Sequence, residues 1–254
     1  MVPVTVMDNK VSATSQFEHL ATLLETYQAD CVLDVGAHVG EFASTLRHAG
    51  YSGPIVSFEP VNDYFKRLEA AAAHDAKWWV YRAALGRDTG ERPMNVMDGT
   101  GSSFLSPNRY AMRCWPEWHS FHVEKVPMRR LSDMMEMFFA SISVSRPFLK
   151  LDTQGYDLEV FRGAGDRIHD LVGLQCELSL IPLYEGMPTI EDALGVFRAA
   201  GFDVTGFFPV AMENATARLL EVDCVMIRSQ ALPRQRVDTA GGAQSLSVPP
   251  TVGP

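Results

Sequence analysis

Short apolar runs alternate along the chain with stretches in which apolar residues recur at helical spacing. Phe17, Leu20, Leu23 and Leu24 share one helical face, which predicts a helix over about 12–28. Cys31-Val32-Leu33-Asp34-Val35 is an apolar run broken by one acid, the pattern of a strand buried on both sides. Phe42 and Leu46 then mark a helix over 41–49 that Gly50 stops. Ile55 to Phe58 follows the Gly53-Pro54 turn as a second strand. Asn62 suits a helix cap, with Phe65, Leu68 and Ala72 on the inner face. Lys77 to Leu85, with Trp78, Trp79, Val80 and Tyr81, reads as a third strand.

From Gly86 to Arg146 the rhythm is lost, apart from weak strands over 92–97 and 126–128 and a helix over 131–140. Connections this long in a compact domain are usually functional, so 99–145 is expected to be an insertion that builds the acceptor side of a site. The alternation then returns with a strand over 147–152, a helix over 157–162 and a strand over 172–178. Thr189 and Asp192 form a T-x-x-D start for a helix that Gly201 ends. Runs 202–208 and 219–227 are two closing strands with no helix between them. Five strand–helix steps predict an α/β fold, a mostly parallel sheet with helices on both faces and an antiparallel edge. The expected domain is 1–228. The Pro-, Gly- and Ser-rich stretch 229–254 is expected to be a disordered tail.

Composition narrows the function classes. The 254 residues are 46% hydrophobic and 21% charged, ordinary for a globular chain. The net charge of −9 counts against a nucleic-acid partner. No apolar run is long enough for a membrane span, and no signal peptide is read at the start. Cys31, Cys114, Cys176 and Cys224 form no C-x-x-C pair and fall mostly in strand runs. They read as buried thiols, which fits a cytoplasmic protein.

The chemistry concentrates at two strand ends. Asp34-Val35-Gly36-Ala37-His38-Val39-Gly40 leaves a strand and opens a helix. Gly36 allows a sharp turn and close approach of a ligand, and Gly40 lets the helix start near the strand. Glu59, before Pro60, ends the second strand, where an acid can accept both hydroxyls of a ribose. The order G-x-H-x-G differs from the dinucleotide fingerprint, and Asp34 suits a cationic end of a ligand. Both acids match S-adenosyl-L-methionine. A dinucleotide, or a turn with no ligand, are the other readings. In the second stretch Lys150 and Asp152 share one side of a strand, with Asp152 at its rim, and Glu177 ends the next strand the same way. Either the two carboxylates converge on the site, or Lys150 pairs with an acid inside the sheet and Asp152 alone faces it.

Together D-V-G-A-H-x-G, F-E-P, K-L-D-T-Q-G-Y-D-L-E-V-F-R-G-A and E-L-S-L-I-P-L-Y-E-G resemble the FkbM family of S-adenosylmethionine-dependent methyltransferases, over about 31–228. The resemblance implies a class I methyltransferase fold, with seven strands ordered 3-2-1-4-5-7-6 and strand 7 antiparallel. It implies S-adenosyl-L-methionine as cofactor and methyl transfer to a hydroxyl of a sugar, glycan or natural product. By position, Asp34, Gly36, His38, Gly40, Glu59 and Pro60 would hold the cofactor, with Ser102, Ser103 and Asp152 beside it and no metal. His38 stands where the wider superfamily has a glycine, and it would contact the methionine carboxylate. Asp152 is the first candidate for the base, with Glu177 next and His119 and His122 as loop alternatives. Phe104, Tyr110, Trp115, Trp118 and Phe121 suit an acceptor pocket, a lid core or a homodimer contact, and Tyr184 and Glu185 are expected on the acceptor side. The rival readings are a nicotinamide-dependent oxidoreductase and a non-catalytic cofactor-binding protein.

Overall fold

The computed structural model describes residues 10–231. In chain order the elements are α1 (Lys10–Thr26), β1 (Cys31–Val35), α2 (Glu41–His48), β2 (Ile55–Phe58), α3 (Asn62–Ala72), β3 (Trp78–Tyr81), β4 (Ala84–Gly86), β5 (Gly90–Met97), α4 (Arg109–Cys114), β6 (Phe121–Arg130), α5 (Leu131–Ile142), β7 (Pro147–Leu151), α6 (Asp157–Gly163), β8 (Gly173–Ser179), α7 (Ile190–Ala199), β9 (Phe202–Glu213) and β10 (Arg218–Arg228). Residues from 232 on, most of the stretch read as a tail, and the first nine lie outside the described residues.

Seven strands form one sheet in the order β3-β2-β1-β7-β8-β10-β9. Pairing is parallel from β3 through β8, and β10 runs antiparallel to both β8 and β9. Numbered within this sheet alone the order is 3-2-1-4-5-7-6. The chain numbering differs because three further strands intervene and form a second sheet, β4-β6-β5, which the expectation of one sheet did not include.

Strand alternation divides the core into two layers. Cys31, Leu33 and Val35 of β1 pack with Leu131, Met135 and Phe138 of α5, Phe161 of α6 and Phe197 of α7. Val32 points the other way, onto Leu20 and Leu24 of α1, Leu46 of α2 and Leu68 of α3. Each such buried Leu or Phe contributes roughly 1.5–3 kcal/mol. The strands therefore read as unbroken apolar runs because both faces are covered.

Three expectations are corrected here. The run 77–85 is two strands, and the chain turns at Arg82-Ala83 so that Ala84–Gly86 joins the second sheet. The insertion is also displaced from 99–145, since its sheet begins at Ala84 and α5 belongs to the main core through Leu131, Met134, Met135 and Phe138. Asn62 is the first helical residue of α3 rather than its cap, which is Val61. At α7 the Thr189/Asp192 capping box forms as the spacing predicts. The four cysteines are free and buried, three of them on β1, β8 and β10. No helix among the described residues is long and apolar enough to cross a membrane.

Candidate functional site

At the C-terminal edge of the parallel strands a cleft encloses about 630 Å³, open solvent at its mouth included. The ends of β1 and β2 and the turns after them contribute Gly36, His38, Phe58, Glu59 and Pro60, and α3 contributes Tyr64. The second sheet and its loop add Ala84, Leu85, Met94, Thr100, Ser102 and Phe104, and the loop after β7 adds Asp152, Thr153, Gln154 and Tyr156.

The turn after β1 has a steric reason for its glycine. Gly36 sits at φ +79°, and a Cβ there would lie 1.8 Å from the Asp152 carbonyl oxygen. Gly36 and Ala37 donate their N–H groups to the Phe58 carbonyl at 3.1 and 3.0 Å, which ties the turn to β2. Glu59 completes the tie. It accepts from the His38 N–H at 2.9 Å and from the Val61 N–H at 2.8 Å. Burial pushes the Glu59 carboxyl up to about 7, against the pull of these two donors and of Lys150. The His38 imidazole lies edge-on to Tyr64, with ring centroids 4.3 Å apart. Its Nδ1 lies 3.5 Å from Glu41 Oε2, and its buried Nε2 has no hydrogen-bond partner among the described residues. Burial lowers its pKa, so the ring is neutral at pH 7.

A charged stripe runs beneath the cleft. Lys150 is buried, with Nζ 3.2 Å from Asp34 Oδ1, 3.4 Å from Asp152 Oδ2 and 2.9 Å from the Gly36 carbonyl, to which it donates. Asp34 is fully buried and also accepts from Ser57 Oγ at 2.8 Å. The two readings of this motif thus resolve to the second: the lysine pairs inside the sheet and Asp152 faces the cleft. Burial would raise Asp152, but the Lys150 ammonium overrides it, with the Glu177 carboxyl and then Gln154 hydrogen-bonding as well, and holds the carboxyl below its ordinary range. Glu177 moves the other way. Burial, then the neighbouring Glu221, Asp152 and Asp223 charges, push it well above the carboxylate range.

Four of the expected contacts are placed elsewhere. Asp34 does not line the cleft, because its carboxylate is spent on Lys150 and Ser57. Gly40 backs onto Trp78 and Leu68 and serves the start of α2. Ser103 is buried, and its hydroxyl donates to the Gln154 carbonyl at 2.7 Å, away from the cleft. Glu177 stands behind the Gln154 side chain, which bridges it to Asp152, and faces a smaller recess between α6 and α7. His119 and His122 are exposed and do not line the cleft. Nor does Glu185, whereas Tyr184 is 1% exposed and packs on Trp118. Of the insertion aromatics Phe104 lines the cleft, Trp115 stacks on Trp118 inside the insertion, and Phe121 faces solvent. Tyr64 and Gln154 had no signal strong enough to single them out. No group of three His, Cys, Asp or Glu among the described residues is placed to hold a metal ion.

The raised carboxyls predict a pH dependence of stability. Asp157 and Asp223 are pushed to about 6, and Glu59 and Glu221 to about 7, in each case by burial first. A carboxyl whose folded pKa exceeds its unfolded one binds more protons when folded. Its contribution is therefore lost as pH rises towards the folded value, at about 1.4 kcal/mol per pH unit. The lowered His38 and His19 act oppositely, but only below their unfolded value of 6.5. Above that, Glu177 with the upper half of the Glu59 and Glu221 titrations sets the sign. The urea midpoint should fall between pH 6.5 and 8, and a rise over that interval would contradict the burial described here.

Three solved structures illustrate what the chain is similar to. Against EvdMO1 the identity is 9%, with 85% of this chain and 41% of that chain covered at a TM-score of 0.46. Against magnesium protoporphyrin IX methyltransferase (ChlM) from Synechocystis PCC 6803 with bound SAM, the figures are 12%, 87%, 82% and 0.47. Against ribosomal protein L11 methylase from Lactobacillus delbrueckii subsp. bulgaricus they are 10%, 88%, 81% and 0.44. None of the curated proteins matches the sequence. The profile of the methyltransferase FkbM domain matches residues 34–204, more than half of the chain and every part of the cleft. The chain belongs to the FkbM methyltransferase family.

Proposed function

We propose that this protein transfers a methyl group from S-adenosyl-L-methionine to a hydroxyl oxygen of a small-molecule or glycan acceptor. The observation that carries the cofactor is the Gly36 cradle, where the backbone turns against Asp152 with no room for a Cβ and the Glu59 carboxylate stands on the same wall. The unpartnered Nε2 of His38 is the second sign of fit, because buried polar atoms rarely go unsatisfied. When bound, the cofactor supplies an electrophilic methyl group on a sulfonium.

The rest falls to the chain's own residues. Glu59 has lone pairs left on both oxygens to accept the ribose hydroxyls. His38, neutral, donates one N–H to the methionine carboxylate. Asp152 presents an ionised carboxylate, its side chain 35% exposed, to the cationic end of the ligand. Phe58, Ala84, Leu85 and Met94 give the cleft an apolar end that suits a purine face. Held low by Lys150, Asp152 is a weak proton acceptor, so its part at an acceptor hydroxyl is orientation, and the hydroxyl proton leaves to water at the open mouth of the cleft. Glu177 stands outside the cleft, and we assign it no contact with the acceptor. The net charge of −9 favours a neutral hydroxylated acceptor over a nucleic acid, and the four free thiols suit the cytoplasm.

Thermal unfolding with S-adenosylmethionine, S-adenosylhomocysteine and NAD tests the cofactor, since a ligand of the folded state raises Tm. Either sulfur ligand should stabilise the protein. Stabilisation by NAD alone would make it a nucleotide-binding protein of another kind. A panel of hydroxylated acceptors screened by mass for one added methylene tests the oxygen assignment. Glu59→Ala should weaken S-adenosylhomocysteine binding by about ten- to a hundred-fold, the value of hydrogen bonds to a charged acceptor. An unchanged Kd by calorimetry would remove Glu59 from the ribose site.

A further inference from the structure

The loop after β7 holds a residue whose role the methyl-transfer chemistry leaves unassigned. Gln154 has φ +53°, in the left-handed region, and is followed by Gly155 at +86°. Its carboxamide nitrogen donates to Asp152 Oδ1 at 2.9 Å and to Glu177 Oε2 at 2.7 Å. Its carboxamide oxygen accepts from the Tyr184 hydroxyl at 2.9 Å, and that hydroxyl lies equally close to the Gly101 carbonyl. Its backbone carbonyl accepts from Ser103 Oγ at 2.7 Å. Ser103 and Tyr184 are both buried, one in the insertion loop and the other in the loop after β8. A primary amide combines two N–H donors and an acceptor oxygen in one plane without charge. It can therefore sit between two carboxyls and a hydroxyl with every polar atom used.

We propose that Gln154 is a positioning residue, which orients Asp152 towards the cationic end of the cofactor by bracing it against Glu177 and is itself fixed by Tyr184 and Ser103. The proposal rests on the cofactor reading above. It gives Ser103 of the insertion and Tyr184 of the loop after β8 a part in the site, because both set the angle of the Asp152 carboxylate through Gln154. It also accounts for a glutamine in left-handed backbone where glycine or asparagine is commoner: four hydrogen bonds hold it there.

The groups that face Asp152 define the test. Lys150 on β7 supplies the positive charge. Asp34 on β1 faces it too, the raised carboxyls of Glu177 on β8, Glu221 and Asp223 on β10 and Asp157 on α6 supply negative charge only as pH rises through their folded values, and His38 lies across the cleft. Without the Gln154 donor, Asp152 takes a proton more readily among these acids and loses its hold on a cation at mildly acidic pH.

S-adenosylhomocysteine, which keeps the amino group, is titrated calorimetrically into wild type and Gln154→Leu at pH 5.5 and pH 8. The ratio of the two affinities cancels the Glu59 titration that both proteins share. The variant should bind about ten-fold more weakly at pH 5.5 and about three-fold more weakly at pH 8, as loss of one donor to a charged group implies. A purely structural role would lower affinity by the same factor at both pH values, and that result, or no loss, overturns the proposal. If Gln154→Leu does not fold, Tyr184→Phe keeps the ring and releases the amide oxygen, and its affinity ratio should slope in the same direction. A flat ratio for Tyr184→Phe then overturns the proposal. Absence of binding by wild type overturns the cofactor reading and the Gln154 role together, whereas wild-type binding with a flat ratio overturns the Gln154 role alone.

Discussion

Gly36→Ala should abolish cofactor binding, with a loss of at least about a hundred-fold, and should lower stability by about 2–5 kcal/mol. The new methyl would stand 1.8 Å from the Asp152 carbonyl oxygen, at a backbone φ of +79°. Neither side can yield easily. The Asp152 N–H is bonded to the Val35 carbonyl at 3.1 Å, and Gly36 is held to Phe58. Relief must separate the ends of β1 and β7, and those ends carry the cleft wall. Gly40→Ala is the matching control. Its Cβ would meet Trp78 at 2.9 Å and Leu68 at 3.1 Å, side chains away from the cleft. It should lower the urea midpoint while the folded fraction still binds S-adenosylhomocysteine. Equilibrium unfolding and calorimetry on the two variants separate the effects. Gly36→Ala protein that binds within about three-fold of wild type would show that the turn does not carry the ligand.

How far the sequence could be read depends on the range of the interaction that sets each feature. β2 has the expected ends, Ile55 and Phe58, because Pro54 and Pro60 bracket an apolar run with no competing pattern. Gly36 and Glu59 were legible for the same reason, since a strand-to-helix turn and a strand-end acid are local signals. The second sheet was not. β4 is only Ala84–Gly86 and continues directly from a better strand, so nothing local marks the change of sheet. The pattern over 131–140 reads as a helix but gives no sign that α5 belongs to the main core, because a helix pattern shows an apolar face and not what covers it.

Asp34 shows the same limit at the site. An acid before a glycine turn suggests a ligand contact, and its actual partner, Lys150, lies 116 positions further along the chain. The strand spacing showed that Lys150 and Asp152 share a side, but which acid the lysine takes depends on the pairing of β1 with β7, in which Asp34 and Lys150 are directly opposite. Gln154 was hidden more thoroughly. Its sequence context, Thr-Gln-Gly-Tyr, reads as a loop, and its partner side chains come from positions 103, 152, 177 and 184. The loop histidines erred in the other direction. His119 and His122 suggested chemistry by residue type alone, and solvent exposure removes them from the site.

Lys150→Met should be the most destabilising substitution in the stripe, by about 3–5 kcal/mol, the cost of leaving a buried charge without its partner. Burial draws Lys150 down, but Asp152 and then Asp34 override it and hold the ammonium above its ordinary range. A lysine whose folded pKa exceeds its unfolded one stabilises fully below the unfolded value of about 10.4 and loses that contribution only at higher pH. The pair is therefore intact from pH 5 to 9, and the loss on Lys150→Met should persist throughout that interval. The substitution also removes the donor to the Gly36 carbonyl, so cofactor affinity should fall together with stability. A double-mutant cycle with Asp34→Asn isolates the pair. Asparagine keeps an acceptor for Ser57 Oγ while removing the charge that Lys150 balances. The two changes together should cost less than their sum by at least about 1 kcal/mol. Additive costs would mean that Asp34 does not depend on Lys150. Asp34 would then be open to the ligand role that its position near the end of β1 first suggests, and Asp34→Asn alone should in that case weaken S-adenosylhomocysteine binding.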